Sequence, residues 1–305
     1  MKRRVIQIAN STQLVSLPRK WTLKYGVTKG EEIDVLEDGN KLIISTDKVQ
    51  EFENKVLEAE KWKEYLPRVI YSLYKKGVDE IRANFRNPET LKVIQKSLGK
   101  QTVGFEIIDQ GNNYCIIKNV SGDLEDFDSV LRRTFLILIQ MSKEIFESIK
   151  NLDYNHLNSV AFLEESNNRF TTTCRRLLNK KGYKNYKHTG PMYYMIEELE
   201  NTADQYKYIC NYIANMNPKT NPPSKDTLDL MAIVNESLQL FYETFYKFDE
   251  SKIVRISQNR SMVVSKSITL FGKKGSLIDN ILLHHELIIM QKIFCLTGPY
   301  LITVL

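Results

Sequence analysis

Cysteine is scarce in this 305-residue chain: Cys115, Cys174, Cys210 and Cys295 are widely spaced, with no C-x-x-C pair. Reduced thiols of a cytosolic protein are the expected state. Histidine is equally scarce. His156 and His188 stand alone, and His284-His285, being adjacent, point to different faces of a helix, so the four build no metal site. There is no apolar leader either, because the N-terminus is basic and then strand-like, so export is not expected. Acidic residues are absent before Glu31. The one long apolar run, residues 287–305, contains Gln291 and Lys292, and Gly298-Pro299 is expected to break its helix before it could cross a bilayer. It reads as a buried bundle helix with an apolar tail and no membrane span; an interfacial or partner-binding role is the alternative.

What is present is ordinary in bulk and unusual in place. Hydrophobic residues make up 42% and charged residues 26%, which argues against long disorder, and the length allows two or three domains. The clearest pattern lies in residues 2–46. Alternating runs at 4–8 and 13–17 have the period of half-buried strands, with turn chemistry at Asn10-Ser11-Thr12 between them. Pro18 fixes φ where a helix can start and Gly26 is a left-handed stop, so residues 18–25 should form about two helical turns. A turn at Lys29-Gly30, a strand at 33–36, a hairpin signal at Asp38-Gly39 and a strand at 42–45 complete the unit.

Charge respects the same boundary. Lys2, Arg3, Arg4, Arg19, Lys20, Lys24 and Lys29 have no acidic neighbour before Glu31, so residues 1–30 carry +7; with +6 on the whole chain, the remainder comes to −1. A local basic excess is the footprint expected of a nucleic-acid-binding surface, the alternative being an ordinary solvated lysine-rich terminus.

The order basic strand, Ser-Thr, strand, Val15-Ser16-Leu17-Pro18-Arg19-Lys20-Trp21, Gly26, Lys29-Gly30-Glu31-Glu32, strand, Asp38-Gly39, strand resembles the AbrB/SpoVT/MazE swapped-hairpin DNA-binding domain. The Ser-Leu-Pro-Arg-Lys-Trp segment is similar to the version fused to archaeal PhoU-type phosphate-uptake regulators. Those often carry Gly-Gly where this chain has Ala9-Asn10, a departure that bears on the shape of the first turn. A hairpin of about 45 residues buries too little surface to stand alone. The resemblance implies that two chains interleave their hairpins in a homodimer on double-stranded DNA. Arg3, Arg4, Arg19, Lys20 and Lys24 would then be the DNA-binding residues.

Beyond it, residues 47–64 place Val49, Phe52, Val56 and Leu57 at helical spacing, predicting a charged connector helix that Pro67 ends or restarts. A helix then stops at Gly77, and a strand spans 78–85. Asn87-Pro88-Glu89 opens a second helix, and strands at 103–109 and 114–120 flank a hairpin turn. This small α/β unit also resembles the middle region of the archaeal regulators. It shows no nucleophile, phosphate loop or metal cluster, and reads as a spacer or docking domain.

From residue 123 onward the chain is helical, with residues 126–171 sliding onto 222–267. Helices are expected at about 125–150, 153–181, 191–216, 223–248, 250–272 and 276–297, two three-helix units in tandem, which is also the architecture of PhoU proteins. That family carries Glu/Asp-x-x-x-Asp pairs on facing helices, and side chains four apart share a face and can converge on a cation. Glu164 and Asn168 stand at the first pair, with Asn168 departing from aspartate; Glu200 and Asp204 fit the second. In the second unit the matching positions are Arg260 and Val264, then Glu286 and Met290. The resemblance thus implies a divalent or iron-type ion confined to the first unit. The alternative is that Glu164 and Asp204 form salt bridges with Arg169, Arg175 or Arg176.

The sequence therefore predicts an α+β multidomain protein. A swapped-hairpin domain occupies 1–47, a linker helix and small α/β domain 48–122, and a PhoU-like six-helix domain 123–305. The expected role is a cytoplasmic, non-enzymatic transcriptional regulator of phosphate uptake. The alternative is an adaptor that contacts a phosphate transporter or signalling kinase and uses the hairpin only to dimerise. Di-metal oxidases also place carboxylates on facing helices, but they need Glu-x-x-His pairs that residues 123–220 lack.

Overall fold

The computed structural model describes every residue except 10, 47–51, 122–125, 221 and 273–274. The protein is α+β and divides into two compact units, Met1–Phe52 and Glu53–Leu305.

The first unit is two antiparallel hairpins and a short helix. Strand β1 (Ile6–Ile8) pairs with β2 (Thr12–Leu14), setting Ile6 opposite Leu14. Helix α1 (Arg19–Lys24) starts after Pro18, and Gly26, at φ +58°, lets it close with Val27 N–H on the Thr22 carbonyl at 2.8 Å. Strand β3 (Asp34–Asp38) pairs with β4 (Lys41–Ser45) across the Gly39 turn. The helix and the second hairpin fall close to where the pattern places them, while the first hairpin is shorter than the expected runs 4–8 and 13–17, its strands covering only Ile6–Ile8 and Thr12–Leu14. Asn10 of the first turn lies outside the described residues, but Ala9 beside it sits at φ +54°, a backbone conformation that favours glycine.

Residues 47–51 of the expected connector helix lie outside the described residues, and the rest of that stretch forms strand β5 (Asn54–Glu58) and a 3₁₀ segment, Ala59–Tyr65. Helical spacing fails here because only one side of the segment is used. Leu57 is buried, while Phe52 and Val56 are exposed, the alternation of a strand. An open sheet edge takes the segment: β5 runs parallel to β6 (Glu80–Asn84), which pairs antiparallel with β8 (Tyr114–Asn119), and β8 with β7 (Phe105–Gln110). Helices α2 (Leu66–Lys76) and α3 (Pro88–Ser97) supply Ile70, Tyr74 and Ile94 to the core of this sheet. Pro67 falls in the first turn of α2, where its missing N–H costs nothing, and Gly77 ends the helix at φ +106°.

The remaining helices are α4 (Phe127–Lys150), the short α5 (Leu157–Ala161), α6 (Leu163–Lys181), α7 (Thr189–Ile213), α8 (Lys225–Tyr246), α9 (Glu250–Phe271) and α10 (Leu277–Val304). Ser224, Asp249 and Ser276 cap α8, α9 and α10 by accepting backbone N–H bonds. The two sets of three long helices do not close separate cores. One apolar cluster runs from Phe135 of α4 through Leu199 of α7 and Leu238 of α8 to Leu282 and Ile293 of α10. Helix α10 is long and apolar enough to cross a membrane by length and composition, and its buried residues run from Ile278 to Tyr300.

The expected break at Gly298-Pro299 does not occur, and α10 continues to Val304. Packing overrides the lost hydrogen bond. Tyr300, the residue after the proline, is buried against Phe241 and Phe245, with centroids 5.9 and 5.7 Å away, and its hydroxyl donates to the Thr244 carbonyl at 2.5 Å.

Candidate nucleic-acid interface and the acidic cluster

Arg19 and Lys20 open α1 and Lys24 closes it; all three are exposed, and Lys20 and Lys24, four apart, share a face. The Lys24 ammonium lies 5.2 Å from the Tyr25 ring centroid, and Trp21 packs on Tyr25 at 5.5 Å, so the aromatic pair braces the helix that carries the cations. Arg3 and Arg4 are exposed too, but their expected place on a strand is corrected. Strand β2 ends at Leu14, which pairs with Ile6, so the residues before Ile6 have no ladder partner in this hairpin. The unit as a whole has no interior: none of its described residues is buried, and Ile6, Ile8, Val35, Leu36 and Leu42 are each more than half exposed. Apolar strand faces of this kind gain stability only against another apolar surface.

The acidic residues singled out in the helices do come together, and they meet cations. On α6, Glu164, Asn168, Thr171 and Arg175 succeed one another at helical spacing; on α7, so do Glu197, Glu200, Asp204 and Lys207. The helices zip these faces in opposite directions. Arg175, buried, pairs with Glu197 at 2.5 Å and with Glu200, whose carboxylate also accepts from Thr171 at 2.9 Å. At the other end the Lys207 ammonium bridges Glu164 Oε1 and Asp204 Oδ1, each at 2.6 Å, and Asn168 Nδ2 donates to Glu164 Oε1 at 2.6 Å. Burial raises the Glu164 carboxyl above its ordinary range by more than Lys207 lowers it. Lys207 is itself desolvated, yet its hydrogen bonds to Asp204 and Glu164 hold its pKa above the usual lysine value.

The four expected ligand positions do not fit a divalent or iron-type ion. Glu164 and Asp204 are bridged by an ammonium and Glu200 by a guanidinium, and among the described residues no three His, Cys, Asp or Glu side chains converge. The leftover donor is Asn168 Oδ1, buried without a hydrogen-bond partner among the described residues, and one amide oxygen is too little for a hard cation. The partners expected for an ion-paired cluster are corrected as well. Lys207, rather than Arg169, Arg175 or Arg176, holds Glu164 and Asp204. Arg175 serves Glu197 and Glu200, and Arg176 reaches the α/β region.

Two further groups, Arg176 and Glu286, have surroundings that the sequence pattern does not show. Arg176, fully buried, donates from Nη1 to the Tyr74 and Val78 carbonyls at 2.9 and 2.7 Å and from Nη2 to Asp79 at 2.6 Å, with Tyr74 and Phe105 against its guanidinium. It locks α6 to the end of α2. Glu286 of α10 is buried with no hydrogen-bond partner for either oxygen among the described residues. Burial, with the charge of Asp279 added, pushes its carboxyl well above the ordinary range. His285 is held neutral, burial and His284 lowering it to about 4, and its Nδ1–H donates to Gln205 Oε1 at 2.9 Å. Burial pushes the Cys115 and Cys210 thiols up to about 11 and about 12, so neither is a nucleophile at neutral pH.

Of these, Lys207 is legible in the sequence: it stands three residues after Asp204 and seven after Glu200, on the face already identified. Arg176 is not, because its partners lie about a hundred positions away. Set against family models, curated proteins and solved structures, the chain matches none.

Proposed function

We propose that this chain is a DNA-binding transcriptional regulator of PhoU type, acting in the cytoplasm as a homodimer and tied to the control of phosphate uptake. The observation that carries the reading is the make-up of the first unit. Two hairpins and a short helix bear seven basic residues before the first acidic one, and no described residue among them is buried. Apolar strands without a core require a second copy, and doubling the unit doubles Arg3, Arg4, Arg19, Lys20 and Lys24 into one basic surface. Lysine and arginine on such a surface release counterions from duplex phosphates, which supplies affinity without base contacts. The helical region then sets the spacing of the paired hairpins in response to a protein partner, a transporter or kinase component being the one the resemblance suggests.

Binding of duplex DNA by the full chain tests this. Charge-neutral replacement of Arg3, Arg4, Arg19, Lys20 and Lys24 by Gln should abolish DNA binding while leaving the dimer intact. If binding survives the loss of all five, the regulator reading fails and the adaptor reading, in which the hairpin only dimerises, replaces it.

A further inference from the structure

Carboxylates on facing helices are the usual scaffold for a cation, and the α6–α7 cluster has four of them, Glu164, Glu197, Glu200 and Asp204. Buried carboxylates must be paired, protonated or metal-bound. Here pairing is supplied from within. Lys207 Nζ is 2.6 Å from an oxygen of Glu164 and 2.6 Å from one of Asp204, so it stands between the two carboxylates that lie on different helices. A divalent ion able to bridge the same oxygens would have to sit where the ammonium sits, and two like charges cannot share that space in a half-buried site. The second set of helices has a cation of its own at the corresponding position, though its hydrogen bond goes to an amide and not to a carboxylate. The position matching Glu164 there is Arg260, whose Nε donates to Gln291 of α10 at 2.8 Å while its guanidinium lies 4.5 Å from the Phe294 centroid.

We infer that Lys207 is the resident cation of the α6–α7 cluster, a covalently tethered ammonium that takes the place of a metal ion and makes this helical region metal-independent. Asn168 completes the arrangement. Its Nδ2 donates to Glu164 at 2.6 Å, and its Oδ1 is buried with no hydrogen-bond partner among the described residues. Removing the ammonium would leave the Glu164 and Asp204 carboxylates, on two helices, converging on the space it held, a weak but usable site for a hard or borderline divalent ion. This role is independent of DNA binding, since it concerns only residues of α6 and α7.

The test is equilibrium dialysis of the full-length protein, stripped with chelator, against Mn²⁺ and separately against Zn²⁺, with metal content and thermal midpoint as readouts. Wild type should bind neither ion at the cluster, and its midpoint should not move. Lys207→Ala should bind Mn²⁺ at least about tenfold more tightly than wild type, and its midpoint, lowered without metal, should recover with it. Adding Glu164→Gln or Asp204→Asn to Lys207→Ala should cancel the gain. Lys207→Arg, which keeps the charge, should behave as wild type. Lys207→Met keeps the apolar stem and carries the test if the alanine variant does not fold. Metal bound by wild type in a manner lost on Glu164→Gln would overturn the inference. So would the failure of both Lys207→Ala and Lys207→Met to gain any affinity.

Discussion

Two side chains hold conformations or charge states that their surroundings impose, and both give measurable consequences. Ala9 sits at φ +54°, where a Cβ costs about 1–2 kcal/mol relative to glycine. Ala9→Gly should therefore raise stability by about 1 kcal/mol in denaturant unfolding, part of the gain being returned as unfolded-chain entropy. A loss of stability would show that the turn is held by something the alanine side chain supplies. Glu286 carries the second consequence. Its folded pKa is raised, so the native state keeps a proton that the unfolded chain releases above about 4.5. Its contribution is full below that unfolded value and declines as pH rises toward the folded one, by about 1.4 kcal/mol per pH unit. Glu286→Gln, neutral at every pH, should abolish that decline and be more stable than wild type at pH 8. Equal pH profiles for the two proteins would mean the carboxyl finds a partner on ionising.

At the level of elements, a buried guanidinium ties the helices of the second unit to its sheet region. Arg176 of α6 gives three hydrogen bonds to residues at the end of α2 and just beyond, so the sheet and the helices share a buried guanidinium. Arg176→Met should cost about 3–5 kcal/mol, because it takes the guanidinium donor from the buried Val78 carbonyl, leaves the Tyr74 carbonyl with only the Gly77 N–H, and removes one of the two cations on Asp79. Lys180→Met, leaving Arg176 in place, should cost clearly less. Near-equal losses in urea titrations would move the weight of the junction onto Asp79 itself.

The elements also show how much of this molecule is legible in its sequence. Caps and stops can be read because they act within a few residues: Pro18 and Gly26 around α1, Asn87 ahead of α3, Gly77 after α2. The six long helices can be read because their apolar period is sustained over many turns. Residues 54–58 mislead because an apolar spacing compatible with one helix face is also compatible with a parallel edge strand, and the sheet that claims it is assembled from residues 80–119. Pro299 misleads for a related reason: the local rule is sound, but Tyr300 is anchored by α8. In the cluster, spacing alone places Glu164, Asn168, Glu200 and Asp204 together. The acidic pattern by itself does not name their occupant, and Lys207 comes into view only when the same helix face is followed one turn past Asp204.

For the whole molecule, regulation of the kind proposed requires two copies to meet through Met1–Phe52 and to bring their cations together. The full chain should sediment as a dimer at micromolar concentration, and replacing Ile6, Ile8 and Leu42 by Ser should yield monomers whose helical region stays folded by circular dichroism. A monomeric wild type would leave the exposed strands without the surface they require. The most direct test of the central claim is the salt dependence of duplex DNA binding. Each phosphate contact should contribute about 0.9 to the slope of log affinity against log salt, and about four contacts per chain give roughly −7 for a dimer. Replacing Arg19 and Lys20 together by Gln should weaken binding to all sequences alike and flatten that slope by about 3–4. A slope near zero, or one unchanged by the double replacement, would contradict the assignment of this basic surface to DNA.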